Sequence, residues 1–450
     1  LMIFNAEELL TVLQDALERD DFDSAIQMIE ALRGPDQARL FSELEDEEQR
    51  ELLPKLDLSY SADILEDMDD PETAKLASSL PIDTIARIVD EMEPDKAVDL
   101  LGDLTEQQKQ DVLARLDDAD GLRPLLIYPD ESAGGLMTSA FLALRPMMTA
   151  RDAVEALRRW SPDADDVYYL FVVDEDKKLC GVVNLRTLIL TNPESFIKTI
   201  MDPDVLSVTV GIDQEECART MAHYDLAAIP VVDEDNIIMG VITYDDIVDV
   251  LEEEATEDIY RLSNVSDSDL DPDSSVWKQL KGRLPWLYLN TITALFGAWV
   301  ISNYEQIIAQ AAVLALFQSV VAGQGGNTAS QNVAMAVRTL ALERVSSRSQ
   351  RRIIFRQLYM GFLLGLAVGS VVAFGVYLWR GNLYLSLVLG LALVANLSLG
   401  SLVGIAVPLG LEKIGIDPAL ASSVLVTAAT DSMGFFIFLS LAAHFLQYIQ

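Results

Sequence analysis

Ser423, Thr427 and Asp431 stand at four-residue intervals, which stacks two hydroxyls and a carboxylate on one face of a helix. Asp431 is the only charged residue in the apolar run 418–450. A charge at the middle of a membrane span costs about 2.5–3.5 kcal/mol on insertion scales, so it usually faces a cavity or a partner. Oxygen ligands around a carboxylate suit a hard cation that keeps much of its water. The alternative is a carboxylate hydrogen-bonded inside a helix bundle as structural glue. Other reactive types are scarce. Two cysteines, Cys180 and Cys217, and two histidines, His223 and His444, argue against a disulfide framework, a zinc site or a transition-metal cage. An intramembrane metalloprotease needs an H-E-x-x-H helix, which the chain lacks, so no enzyme is expected.

Charge divides the chain in two. Residues 1–275 hold 66 acids and 21 bases, a net of −45, whereas residues 276–450 hold 5 acids and 11 bases. So acidic a half repels phosphate and excludes nucleic acid as a partner; it fits cations or a heavily solvated surface. The other half has five stretches that reach the ~20 residues a bilayer requires: Leu284–Tyr304, Gln306–Val337, Gln357–Trp379, Gly381–Leu411 and Pro418–Gln450. Lys278, Lys281 and Arg283 before the first span, and the arginines of 338–356, mark the cytosolic side. The acidic half is then cytosolic, in keeping with a start, LMIFNAEELL, that lacks a signal peptide's basic region. Five spans leave the C-terminus outside. Gly361, Gly365 and Gly369 in the third span have the spacing that lets helices approach closely.

The elements of the acidic half follow from its repeats. From Leu32, Leu44 and Leu56 to Met92, Leu104 and Leu116 an apolar residue recurs every twelve positions. A second series runs four residues earlier, through Leu40, Leu52, Ile64, Leu76, Ile88, Leu100 and Val112. Paired i, i+4 positions at a fixed period predict short helices stacked as a superhelix, with breaks at Asp69–Pro71, Pro81 and Glu93–Asp95. A different repeat follows: YLFVVDEDKKLCGVVNLRTLI at 169–189 returns as AAIPVVDEDNIIMGVITYDDI at 227–247. Val172 matches Val231 and Gly181 matches Gly240, and the first copy has five extra residues in SPDADDV, 161–167. This resembles a tandem pair of CBS domains, implying an α/β module in which two copies pack as one. CBS pairs often bind adenosine nucleotides through a Gly, two apolar residues, Ser or Thr and a later Asp. Gly240, Thr243 and Asp246 have that pattern, while the first copy has Asn184 and Thr187 and lacks the Asp. Thr243 and Asp246 could equally cap the helix that follows. From Asp246 that helix carries an apolar stripe, Ile247, Leu251, Ala255, Ile259 and Leu262, opposite Glu252, Glu253, Glu254, Glu257 and Asp258.

Three membrane segments, GQGGNTASQN at 323–332, GIDPALASS at 415–423 and TAATDSMG at 427–434, together resemble the MgtE family of magnesium channels. The order of parts matches as well: an all-α acidic domain over 1–130, CBS copies over 131–200 and 201–246, a connecting helix and linker over 247–275, and an all-α five-span membrane domain over 276–450. The resemblance implies a homodimer in the plasma membrane whose ion path runs along the dimer axis, with Asp431, Thr427, Ser423 and Asn327 as pore residues. It further implies that cytosolic Mg2+ shuts the channel by bridging Asp90, Asp213, Glu215, Asp225, Asp246, Glu254, Glu257, Asp258 and Asp417. Mg2+ is then cargo and regulator, with ATP a further candidate regulatory ligand. The sequence departs from the family at Gln318–Ser319 and Val424, where proline is common, and at Gln324 and Ala329. The competing function is an ion-coupled secondary transporter of Mg2+, Co2+ or Mn2+, for which Asp431 is the one deeply intramembrane acid on offer.

Overall fold

The computed structural model describes residues 6–117, 119–160, 169–266, 274–342, 347–420 and 422–449. These fall into two compact units, Leu1–Leu251 and Glu252–Gln450. SPDADDV in the first CBS copy and residues 343–346 of the membrane half lie outside the described residues.

The first unit opens with short helices. Asp69, Pro81 and Glu93 stand at the N-caps of Asp70–Ser79, Ile82–Val89 and Pro94–Asp103, where the sequence breaks predict them. Proline suits the first turn of two of these, because its missing N–H has no intrahelical partner there. Both twelve-residue series turn inward: Leu40, Leu52, Ile64, Leu76, Ile88, Leu100 and Val112 are buried together with Leu44, Leu56, Met68, Leu80, Met92 and Leu104.

Each CBS copy then builds a three-stranded sheet. Strand β1 (Ala143–Leu144) runs parallel to β2 (Tyr169–Val173), which pairs antiparallel with β3 (Leu179–Asn184); β4 (Val208–Thr209), β5 (Ala228–Val232) and β6 (Ile238–Thr243) repeat the order. Val172 sits opposite Gly181 and Val231 opposite Gly240, so the residues matched by the repeat hold the same register. Each glycine is required by a close neighbour. A Cβ on Gly181 would lie 2.6 Å from the Met201 sulfur, and one on Gly240 2.7 Å from Met137. The repeated Asp-Glu-Asp is a turn. Asp174 accepts from the Asp176 and Lys178 amides, and Asp233 from those of Asp235 and Ile237. The two turns then bond each other, Leu179 N donating to Asn236 O and Ile238 N to Lys177 O. Phe171, Val173 and Leu179 share a core with Ala228, Val232, Ile238 and Val241, which makes the two copies one module.

The helix Tyr244–Leu262 departs from the expected stripe. Ile247 and Val250 are buried in the second CBS core, yet Leu251 and Ile259 are 45% and 64% exposed. The helix leaves that core after Val250 and meets the next apolar cluster only at Leu262.

The membrane half has long helices over Val276–Ser302, Val313–Leu342, Ser347–Arg380, Leu383–Lys413 and Ser422–His444. Four of these regions are long and apolar enough to cross a bilayer, against the five expected. The exception is Val313–Leu342, the region of the second expected span, where Gln318, Gln324, Asn327, Gln331 and Asn332 dilute the apolar run. That helix packs closely against Leu383–Lys413. A Cβ on Gly404 would lie 2.5 Å from the Ala329 carbonyl, and one on Gly325 2.2 Å from the Asn396 amide. Gly361, Gly365 and Gly369 give Ser347–Arg380 the same intimacy with Leu383–Lys413, at Ser401, Val394 and Gly390.

Candidate functional site

Asp431 lies on the helix Ser422–His444, half-buried. Among the described residues its carboxylate forms no hydrogen bond or ion pair. Its neighbours behave differently. Thr430 is fully buried and its hydroxyl is spent on the carbonyls of Val426 and Thr427. Gly434, one turn on, makes room for Asn396, whose amide donates to the Val321 carbonyl at 2.7 Å. Thr427 is half-buried one turn before Asp431, and Asn327 is exposed on Val313–Leu342. Ser423 is engaged elsewhere: its hydroxyl donates to Asn264 Oδ1 at 2.7 Å, just beyond the connecting helix.

The acids expected to hold regulatory Mg2+ divide by what they touch. Asp213 caps the helix Gln214–Tyr224 by accepting from the Glu215 amide, Glu215 pairs with Arg219 at 2.8 Å, and Asp225 closes that helix in the left-handed conformation. Asp90 accepts from the Asp117 amide at 2.9 Å. Asp246 accepts from the Thr243 hydroxyl at 2.8 Å and faces the Lys96 ammonium at 3.7 Å. Burial and then the nearby Asp95 push its carboxyl up to about 6 against the lowering pull of Lys96. Glu254, Glu257 and Asp258 lie on the last turns of the connecting helix. Arg261 bonds both Glu257, one turn back, and Asp417, which also accepts from the Ala419 amide at 2.7 Å. Beside it Leu262 packs against Ala329, Val333, Val337, Ala419 and Val426. The end of the connecting helix is thus tied to the start of the last span by a guanidinium, a serine–asparagine bond and an apolar contact. Among the described residues no three of His, Cys, Asp and Glu converge closely enough to cage a metal.

Sequence reasoning missed both basic residues, although each has a local mark. Lys96 is a lone base among Glu91, Glu93, Asp95 and Asp99, and Arg261 is the only base on the connecting helix. It also missed a cleft of about 570 Å3 lined by Tyr169, Asn184, Leu185, Arg186, Ile189 and Ala227. This cleft joins Asn184, at the first copy's signature position, to the residue just before β5 of the second copy. Thr243 and Asp246 do not line it.

A family described as divalent cation transporter, MgtE, matches residues 318–441. The MgtE intracellular N domain matches 15–131, and CBS domains match 133–191 and 197–253. The magnesium transporter MgtE of Thermus thermophilus is 39% identical over 319 residues, 70% of this chain and 70% of that protein. The chain belongs to the MgtE family. A second MgtE, from Enterococcus faecalis, is 35% identical over 74% of this chain and 73% of its own length. The crystal structure of the cytosolic domain of the Mg2+ channel MgtE in complex with ATP overlays with a TM-score of 0.51 at 34% identity, covering 54% of this chain and 99% of that one. The MgtE fold thus accounts for the helical domain, the CBS pair and the apolar helices. The family is one of membrane transporters.

Proposed function

We propose that this chain is a Mg2+ channel, passing Mg2+ through a homodimer in the plasma membrane with its acidic half in the cytosol and its C-terminus outside. The observation that carries the reading is Asp431, a half-buried carboxylate in an apolar helix, without a protein partner among the described residues. As structural glue, Asp431 would show donors within its own bundle. As an ion ligand it presents free oxygens with the Thr427 hydroxyl one turn away. Relatives named magnesium transporter over 70% or more of the chain give the cation.

Regulation by cytosolic Mg2+ rests on the acidic half. Like-charged modules repel within a Debye length of ~8 Å at physiological salt. Mg2+ keeps several waters and binds through one or two carboxylates, so scattered acids can hold it without a preformed cage. The ties of Arg261 to Asp417 and of Leu262 to Ala329 and Ala419 support the connecting helix as the element that closes the path. ATP is assigned to the cleft at Tyr169 and Arg186, in line with the ATP-bound cytosolic domain. Purified Asp431→Asn, inserted and dimeric, is expected to lose at least tenfold in Mg2+ flux. Wild-type flux in that variant would overturn the pore assignment.

A further inference from the structure

The contact between the helical domain and the second CBS copy has an apolar part and an ionic part. Val98 of the helix Pro94–Asp103 is buried in the second copy's core with Met137, Val208, Ile247 and Val250. Two positions earlier on the same helix stands Lys96. Its ammonium lies 3.7 Å from Asp246 and interacts with Asp95, Asp99 and Asp249. Asp95 is 3% exposed, and its Oδ1 has no hydrogen-bond partner among the described residues. A cavity of about 30 Å3 beside Lys96, lined by Glu66, Thr73, Asp99 and Asp103, has room for one or two waters.

Acids of two domains, Asp95 and Asp99 on one side and Asp246 and Asp249 on the other, thus face one positive centre, as acidic surfaces do across a hydrated divalent cation. Here the cationic centre is a side chain. Burial alone would lower the Lys96 ammonium, but Asp246, Asp95, Asp99 and Asp249 outweigh it and hold it above the usual lysine range.

We infer that Lys96 is a resident counter-ion at this contact, taking the place a divalent cation would need to occupy between the helical domain and the second CBS copy. The contact then closes without Mg2+, and Mg2+ acts at the remaining acids. This rests on the sensing reading above and narrows it to sites other than Asp246. It also predicts that removing the ammonium creates a cation requirement, since the acids would face one another unpaired.

Limited proteolysis of the full-length protein in detergent tests this, following cleavage between residues 105 and 131 with ionic strength held constant by Na+. Wild type should be protected there in EDTA as well as in Mg2+. Lys96→Gln should be cleaved at least fivefold faster in EDTA and return to the wild-type rate in millimolar Mg2+. Lys96→Arg, which keeps the charge, should match wild type throughout. Equal protection of Lys96→Gln in EDTA would overturn the inference, and so would cleavage that Mg2+ fails to restore. The sensing reading has a separate readout, suppression of wild-type flux by cytosolic Mg2+, so the two can fail independently.

Discussion

At the scale of single residues, the chemistry depends on which carboxylates have partners. Asp431 has none among the described residues, while Asp246 has two, the Thr243 hydroxyl and the Lys96 ammonium. The Asp246 carboxyl titrates near 6 in the folded protein against 3.8 for the free side chain, because burial penalises its charged form. A raised carboxyl pKa means that the folded state binds the proton more tightly. Its stabilising contribution is complete below about pH 4 and lost as pH rises through 6. Between pH 7 and 5 the cytosolic half should therefore gain stability from this group, on the order of 1 kcal/mol after screening by residual solvent. Asp246→Asn should flatten that gain in melting experiments from pH 5 to 7, relative to wild type. Parallel pH profiles for the two proteins would show that Asp246 is not the titrating group.

Among elements, closeness of approach decides the membrane half. A Cβ on Gly365 would lie 2.6 Å from the Val394 backbone, which cannot move aside without shifting the helix Leu383–Lys413. Gly375, on the same helix as Gly365, has nothing within 4 Å. Gly365→Ala should destabilise the domain by about 1–3 kcal/mol through overpacking. Gly375→Ala should be neutral or gain up to ~1 kcal/mol of helix propensity. Thermal unfolding in detergent separates the two, and equal effects would contradict the packing. The end of the connecting helix offers a second case. Arg261→Gln would leave Glu257 and Asp417 facing each other without their shared cation. Closure should then need several-fold more cytosolic Mg2+, read as a rightward shift of the flux-inhibition curve; an unshifted curve would remove Arg261 from the coupling. Some of this was legible in the sequence and some was not. The twelve-residue series, the Asp-Glu-Asp turns and the glycines at 361, 365 and 369 are local patterns whose physics acts within one element or its nearest neighbour. Lys96 and Arg261 were opaque because a lone base in an acidic run reads as a solvated charge. Their partners Asp246 and Asp417 lie about 150 residues away in the chain. Val313–Leu342 reads as a fifth span from its length, but its glutamines and asparagines lower its apolarity below that of the other four.

For the molecule as a whole, the division of charge is the organising fact. An acidic half with a net of −45 is joined to a membrane half that is nearly free of acids. In the proposed function one half responds to cations and the other passes them, and the helix Tyr244–Leu262 joins them along the chain. A ligand shifts such an equilibrium only through its different affinity for the two states, so several weakly held ions give a steep response. The most direct measurement is Mg2+ flux through the purified protein in liposomes without Na+ or H+ gradients, as Mg2+ on the side of the acidic half is raised from micromolar to millimolar. The flux should run down the Mg2+ gradient alone and fall steeply toward the millimolar end. Flux that appears only with an imposed Na+ or H+ gradient, or that ignores Mg2+ on that side, would contradict a Mg2+-gated channel.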